Sequence, residues 1–317
     1  SYIAMLASMV RSVLVMRMIG PAARGVQRKA GLVIGYLANA DIATRHGLSK
    51  ELPLAIGARD DARAARIEDA TFVAVTGITL LASLGLLIYA LFFCPQSYQT
   101  RVAYAASAGI LLAQEVAQLY WVVLRSWSNF APLAVGELVR TTTQLVLIVG
   151  GAMLLGLTGV MLGWLAAALL LLVYLHQATR IVVRLRLDWQ EMLRLTLVGL
   201  PIAAISFSDY LLRSVDGTIL VTHYGDEQFG LYSLAMQMAT YLFAIPRSAG
   251  FVLWPRVLET WGADSSRSAR HRQVILPAVA IAAAMPVIAG VAWICLPPLV
   301  QRVVPDFRES VPSAQVL

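Results

Sequence analysis

The sequence predicts an all-α, polytopic membrane protein with about nine to ten transmembrane helices. Of its 317 residues, 59% are hydrophobic and only 14% are charged, whereas soluble domains carry about 25% charged residues. Its apolar runs are about 17–25 residues long, which is the length of a helix that crosses a bilayer. Strand-like alternation of apolar and polar residues is absent over such lengths, which argues against a transmembrane barrel.

The apolar runs set the order and the approximate bounds of the helices. We expect helices at residues 1–18, 26–43, 70–93, 102–124, 133–155, 158–180, 195–215, 228–252 and 274–299. The residues after Val300 are expected to lead into a tenth helix. Because the sequence starts inside an apolar run and stops after a loop, we expect the protein to continue at both ends.

The distribution of basic residues in the loops predicts the orientation in the membrane. The loops rich in Arg or bordered by it are Arg45–Asp69, Ser126–Pro132, Arg180–Arg194 and Arg256–Arg272, and those without Lys or Arg are Cys94–Thr100, Leu155–Thr158 and Asp216–Gln228. Basic loops favour the cytoplasmic side, so the first set is predicted to be cytoplasmic. Arg24, Arg28 and Lys29 are the exception, because they fall in an outer loop in this topology.

The link before the seventh helix carries a helix-start signal. Asp188 and Glu191 have the spacing of a capping box, in which one side chain accepts a hydrogen bond from the backbone three residues on. We therefore expect a helix to begin near Trp189.

Four features recur in the same order at a nearly constant offset. Gly20 and Gly25 match Gly225 and Gly230 at 205 residues, Pro53 matches Pro255 at 202, and Cys94 matches Cys295 at 201. This pattern predicts two parallel repeats of about six helices, with the second truncated. The predicted domains are a first helical bundle at residues 1–188 and a second at residues 189–317.

Several segments together resemble a known family. They are Arg-Met-Ile-Gly-Pro at 17–21, Gly-Leu-Pro at 199–201, Ser-Val-Asp at 214–216, YGDEQFGLYSLAMQM from Tyr224, and an Ile-Pro to Trp-Pro stretch ending at Pro255. They are similar to those of O-antigen type polysaccharide flippases of the multidrug/oligosaccharidyl-lipid/polysaccharide exporter superfamily. The stretches Ala22–Arg24 and Asp41–His46 depart from the usual glycine-rich pattern of that family.

The resemblance implies a V-shaped pair of six-helix bundles around a central cavity. It implies that an undecaprenyl-pyrophosphate-linked oligosaccharide is flipped across the bacterial inner membrane for surface polysaccharide biosynthesis. Coupling to H+ or Na+ varies within such families. A polysaccharide polymerase or glycosyltransferases encoded nearby would be expected partners, together with membrane lipids.

Charged residues inside the predicted spans are the candidate site residues. A charge at the bilayer centre costs about 2.5–3.5 kcal/mol on insertion scales, so such residues should face protein or water. The seventh span carries Asp209, Arg213 and Asp216 within about 60° of arc, the fifth carries Glu137, Arg140 and Gln144 on one stripe, and the fourth carries Glu115 beside Gln114 and Gln118.

Two interpretations of these residues stay open. In the first they line a watery cavity, where arginines bind phosphate or an acidic sugar and carboxylates bind a coupling ion. In the second they form structural ion pairs between helices. Glu115 has no local partner, which favours function, and Asp216 is expected to pair between helices or to cap one. Arg17 and Arg247 lie near helix ends, where they contact lipid headgroups or extend to the interface.

The sequence favours no cofactor, no metal site and no nucleic-acid binding. The four His residues lack metal-ligand spacing, no Gly-Lys-Ser/Thr phosphate loop is present, and the basic residues lie in short loops. An alternative with the same fold is a multidrug or toxin efflux antiporter. A membrane enzyme of polysaccharide assembly is a further alternative, which the short outer loops argue against.

Overall fold

The structure is a computed structural model that describes residues 2–40, 42–94, 97–179, 188–243 and 276–316. Every regular element within these ranges is helical. The chain divides into two compact units, Ser1–Phe229 and Gly230–Leu317.

Among its described residues, the first unit contains six helices and the start of a seventh. They are α1 (Tyr2–Leu37), α2 (Ile42–Gly57), α3 (Asp61–Ile88) with a π-helical turn (Tyr89–Phe93), α4 (Tyr98–Ser126), α5 (Phe130–Thr179), α6 (Trp189–His223) and α7, which is helical over 225–243 and enters the second unit. The second unit continues with α8 (Leu276–Val303), a 3-10 turn (Pro305–Ser310) and α9 (Val311–Val316).

Helix α5 is a hairpin whose two arms meet at Gly156. This glycine has φ +59°, a left-handed conformation that side chains disfavour. The arms, 130–155 and 157–179, pack so closely that a Cβ on Gly151 would lie 2.1 Å from the carbonyl oxygen of Gly159. The sequence predicted two helices here with a short turn between them, and the structure confirms this.

Helix α1 has a similar interruption at Gly20, where φ is +72°. The guanidinium of Arg24, in the second arm, donates a hydrogen bond to Ser12 Oγ in the first arm at 3.0 Å. The prediction of a break over 19–25 was therefore too long. Arg24, with Arg28 and Lys29, lies inside a helix rather than in an outer loop, because a single glycine suffices to turn the chain.

Helix α4 is the central helix of the first unit. In its most apolar window 67% of the residues are buried, against 17–39% for the other candidate spans of this unit. One face of α4 packs with α2, α3 and α6 around the fully buried Leu52, Ile67, Leu119 and Leu195. Its earlier turns pack against the second arms of α1 and α5. Side chains on several faces of α4 are therefore held in fixed positions.

Helix α2 corrects the prediction that residues 45–69 form a loop. Leu48, Leu52 and Ala55 recur at helical spacing and have no solvent exposure. Six polar residues lie between positions 44 and 51 of α2, so the segment lacked the long apolar run that marks a span. Packing against α6 stabilises it: a Cβ on Gly199 would lie 1.8 Å from the carbonyl oxygen of Ala43.

Helix α6 begins as predicted at Trp189. Asp188 is its N-cap, and the Asp188 carboxylate accepts a hydrogen bond from the backbone N–H of Glu191 at 3.1 Å. The same helix continues through the predicted seventh span at 195–215 and ends at His223.

Two sets of ion pairs tie α6 and the start of α7 to the rest of the first unit. Near the start of α6, the buried Glu51 of α2 accepts from Arg194 at 2.9 Å and from Arg63 of α3 at 2.6 Å. Beyond its other end, Lys29 of α1 pairs with Asp226 at 3.2 Å.

The second unit has its own small core. Leu296, Val300, Val304 and Phe307 are buried where α8 meets the 3-10 turn. Gln315 Nε2 donates to the carbonyl oxygen of Trp293 at 3.1 Å. Cys295 lies inside α8, whereas Cys94 follows the π-helical turn, so these two matched cysteines occupy different local structures.

Six of the described helices are long and apolar enough to cross a membrane. They are Ala4–Leu37, Asp61–Phe93, Tyr98–Ser126, Phe130–Thr179, Trp189–His223 and Ala282–Val303. The predicted helix at 228–252 is helical as far as residue 243, and its remainder lies outside the described residues.

Candidate functional site

A cavity of about 680 Å³ opens between α4 and the two arms of α5. Its polar lining residues are Gln114, Glu115, Gln118, Arg125, Glu137, Arg140 and Gln144. Trp121, Phe130, Leu133 and several aliphatic side chains complete the wall. The cavity therefore combines apolar surface with a row of amide and charged groups.

Helical spacing places these residues on facing stripes. Gln114, Gln118, Trp121 and Arg125 follow one another at steps of three or four along α4. Phe130, Leu133, Glu137, Arg140 and Gln144 do the same along the first arm of α5. The cavity lies where α4 ends and α5 begins, beside the 126–132 loop that the charge distribution assigns to the cytoplasmic side.

Glu137 and Arg140 form a two-point ion pair on the cavity wall. Arg140 Nε donates to Glu137 Oε2 at 3.0 Å, and Arg140 Nη2 donates to Oε1 at 2.5 Å. The Arg140 side chain is 43% exposed and that of Glu137 is 29% exposed. Both groups therefore remain accessible to a molecule in the cavity.

Glu115 has a partner that is distant in sequence. Arg45 of α2 donates to its carboxylate and also to the carbonyl oxygen of Ala38 at 3.3 Å. The Glu115 side chain is only 8% exposed. This agrees with the expectation that Glu115 has no local partner, because Arg45 is 70 residues away in the chain.

A small second cavity of about 60 Å³ adjoins the same stripe of α5. It is lined by Ser8 and Arg11 of α1 and by Arg140, Thr141 and Gln144 of α5, among others. Arg11 donates a hydrogen bond to the Gln144 side chain. Polar lining therefore extends from α4 across α5 to the first arm of α1.

The candidate residues of α6 lie apart from these cavities. Arg213 Nε donates to both carboxylate oxygens of Asp209, at 3.0 and 2.9 Å, and the two side chains are 62% and 55% exposed. Asp216 accepts from the backbone N–H of Gly217 at 2.7 Å. None of the three lines either cavity described above.

The adjacent face of the same α6 turns packs against α1. Tyr36 shares hydrogen bonds with Ser214 and Thr218, at 3.1 and 2.8 Å, and its ring meets Tyr210 edge-on. These contacts fix the rotation of α6 and so hold the Asp209–Arg213 pair on its exposed side.

The structure describes only one of the two residues that were expected to contact lipid headgroups. Arg17 is exposed on α1, three residues before Gly20. Arg247 lies outside the described residues.

Several residues at the site were not among the sequence candidates, notably Arg11, Arg45, Trp121 and Arg125. Trp121 and Arg125 continue the Gln114–Gln118 stripe, so extending that spacing would have found them. Arg11 and Arg45 come from other helices, and no local pattern indicates their contact with the cavity residues.

Among the described residues no group of three or more His, Cys, Asp or Glu side chains is placed to hold a metal ion. Of the histidines, His176 Nδ1 lies 2.8 Å from Tyr120 Oη and His46 Nε2 lies 3.2 Å from Ser206 Oγ.

Comparison with known proteins gives one family and one fold. The family model described as polysaccharide biosynthesis protein matches residues 14–301. No curated protein matches the chain. A multidrug resistance transporter of the MATE family and MOP superfamily, solved in an inward-facing conformation, superimposes with a TM-score of 0.66 at 14% identity, over 99% of this chain and 76% of that one. A solved chain named protein A superimposes at 0.68 with 16% identity and the same coverage.

Proposed function

Because the chain belongs to the polysaccharide biosynthesis protein family, we propose that it moves a lipid-linked oligosaccharide across the bacterial inner membrane for surface polysaccharide biosynthesis. The family and the fold indicate a multi-pass membrane protein of transporter type. The proposed cargo is of the undecaprenyl-pyrophosphate type, and the proposed mechanism is alternating access, coupled to H+ or Na+.

The observation that carries this proposal is the polar cavity between α4 and α5. It holds four charged side chains and three glutamines inside helices that are otherwise apolar. Charged groups inside a membrane are costly, so their collection in one cavity favours a path for a polar molecule. An oligosaccharide with a phosphate group needs such a path, because its hydroxyls and charges cannot enter hydrocarbon unpaired.

The span count of nine to ten and the two-repeat layout belong to the same proposal. Counting each arm of α1 and α5 as a span raises the six candidate helices to eight, and α7 makes nine. The repeat is supported by Gly20 and Gly225, which match at the predicted offset and share a left-handed backbone, with φ +72° and +83°. The bundle boundary at residue 188 stays a prediction.

The proposed site residues act in two groups. Arg140, Glu137, Glu115 and Gln144 would contact cargo or coupling ion in the cavity. The second group, Asp209, Arg213 and Asp216, lies on α6 and would contact the cargo from that helix. Arg17 and Arg247 would contact lipid headgroups.

The test is transport by purified full-length protein in liposomes and in cells that lack the gene. We expect wild-type protein to translocate undecaprenyl-diphospho-oligosaccharide and to restore surface polysaccharide. Arg140→Gln and Arg213→Gln should each reduce transport at least about tenfold, because losing one charge-assisted contact costs about 1.5–3 kcal/mol. Protein level should not change.

Arg66→Gln is the matched control, since Arg66 is exposed on α3 and lines neither described cavity. Normal transport by both Arg140→Gln and Arg213→Gln would contradict the assignment of these residues. Failure of wild-type protein to translocate the lipid would contradict the function.

Drug efflux is the second candidate, because a multidrug resistance transporter shares the fold. Expression in a strain that lacks its pumps would raise drug tolerance if efflux were the function. A membrane enzyme of polysaccharide assembly is the remaining candidate. Joining or cleavage of lipid-linked sugar by the purified protein alone would support it.

A further inference from the structure

The charges in the α4–α5 cavity are mostly neutralised within the protein. Of its four charged lining residues, Glu137 pairs with Arg140 and Glu115 pairs with Arg45 from behind the wall. A pyrophosphate group placed against this part of the wall would meet two carboxylates as well as the arginines. The interior wall is therefore poorly suited to a multiply charged anion.

The same wall is well suited to a polyhydroxylated molecule. Gln114 and Gln118 each offer a side-chain carbonyl and an NH2 group, which match hydroxyls that both donate and accept. The Arg140–Glu137 pair adds donors and acceptors that remain partly exposed. Trp121 and Phe130 supply flat apolar surface, which the C–H faces of a sugar ring can cover. A volume of about 680 Å³ lies within the range of small-molecule sites.

Arg125 differs from the other charged lining residues. It is exposed in the last turn of α4, and it forms no ion pair with any residue that the structure describes. Its guanidinium can therefore bind phosphate oxygens without competition from a described carboxylate. The last turn of α4 adjoins the 126–132 loop, where the headgroups of a membrane lipid are expected to lie.

We propose that this cavity is a glycan subsite, in which the wall around Gln118 and Trp121 binds a sugar unit while Arg125 at the end of α4 binds the phosphate that links the sugar to its lipid. This assignment rests on the proposed function. It adds which residues bind the sugar end of the cargo and which residue binds its phosphate. It separates sugar recognition from phosphate recognition along one helix.

The experiment compares two lipids on full-length protein in nanodiscs. One is undecaprenyl diphosphate, and the other is undecaprenyl-diphospho-N-acetylglucosamine. Wild-type protein should bind the sugar-bearing lipid more tightly. Gln118→Leu should lower the affinity for that lipid about fivefold to tenfold, which is equivalent to one or two hydrogen bonds. It should leave the affinity for the bare diphosphate lipid unchanged. Arg125→Gln should lower the affinity for both lipids by the same factor.

Gln99→Leu and Arg101→Gln are the matched controls. Both residues are exposed at the opposite end of α4, and neither lines the cavity. They should leave both affinities at the wild-type value. Thermal unfolding of each variant would show whether a loss of binding reflects a loss of fold.

The outcomes separate this inference from the proposed function. Wild-type protein that binds neither lipid would contradict the function itself. The glycan subsite would be overturned if wild-type protein bound both lipids equally, or if Gln118→Leu lowered both affinities equally. Either result would leave the proposed transport function unaffected. An Arg125→Gln variant that affects only the sugar-bearing lipid would overturn the phosphate assignment.

Discussion

At the scale of single residues, Glu115 and Arg45 form a largely buried ion pair at the cavity wall. Its carboxylate is almost fully buried on the central helix, and its cation comes from α2. Removing one partner of a buried pair leaves the other charge without compensation, which costs about 3–5 kcal/mol in soluble proteins. The pair therefore couples the position of α2 to that of α4.

A double-mutant cycle tests this coupling. Glu115→Gln and Arg45→Gln should each lower the thermal unfolding temperature of the detergent-solubilised protein. The double variant should be more stable than the sum of the two losses implies, because neither charge is then left unpaired. The Asp209–Arg213 pair is the control, since both side chains are exposed and their coupling should be smaller. Additive losses at Glu115 and Arg45 would contradict an energetically important ion pair.

Sequence reasoning identified the polar stripes of two helices that line the cavity and missed the contacts behind them. The polar stripes of the fourth and fifth spans were visible because residues three or four apart share a helix face. The structure places Glu115, Glu137, Arg140 and Gln144 around one cavity. Arg45 could not be predicted as the partner of Glu115, because a contact between different helices has no local signature. The functional roles of Arg213, Asp209 and Asp216 stay predictions.

At the scale of elements, the hairpin of α5 depends on glycines at the contact between its arms. Gly151 and Gly159 face each other so closely that a methyl group on either would overlap the backbone of the other arm. At Gly150, the adjacent residue, a methyl group would have no atom of another part of the chain within 4 Å. The two neighbours therefore differ in environment while sharing a helix.

Alanine substitutions should separate these two glycines. Gly151→Ala should destabilise the protein by about 1–3 kcal/mol, the usual effect of overpacking. Gly150→Ala should be neutral or stabilising by up to about 1 kcal/mol, because alanine favours the helix. Thermal unfolding measures both. Equal effects of the two substitutions would show that the arms can move apart at no cost.

Element boundaries were predictable where the signal was local. The Asp188 N-cap and the start of α6 at Trp189 follow from side-chain chemistry within four residues. Helix α2 was missed because its stability comes from packing against α6 and α3, and its own composition resembles a loop. The break in α1 was overestimated because positive φ at Gly20 turns the chain within one residue.

At the scale of the whole molecule, ion pairs are found at both ends of α6. From Arg194 to His223 the helix extends about 44 Å at about 1.5 Å per residue, comparable to a bilayer with its headgroups. Glu51 holds the Arg194 end, and Lys29 holds Asp226 just beyond the other end. Under alternating access, α6 would have to leave its neighbours at one end at a time, so one of these contacts should break in each state.

A reversible cross-link tests this requirement. Lys29→Cys and Asp226→Cys, in protein without Cys94 and Cys295, should be bridged by a short bis-methanethiosulfonate reagent. Transport of the proposed lipid-linked oligosaccharide should then fall and recover when a reductant cleaves the bridge. The single Lys29→Cys variant treated with the same reagent is the control. Undiminished transport by the bridged protein would mean that this contact need not open.

The tip of the α5 hairpin has a consequence for how the protein meets its surroundings. Gly156 makes the turn alone, and the residues just before it, Met153, Leu154 and Leu155, are apolar and exposed, Leu154 by 82%. Between residues 150 and 160 there is thus no hydrophilic stretch for a protease, an antibody or an epitope insertion to reach from water. The turn between the two arms of α5 would therefore present little polar surface to water, because its exposed side chains are apolar.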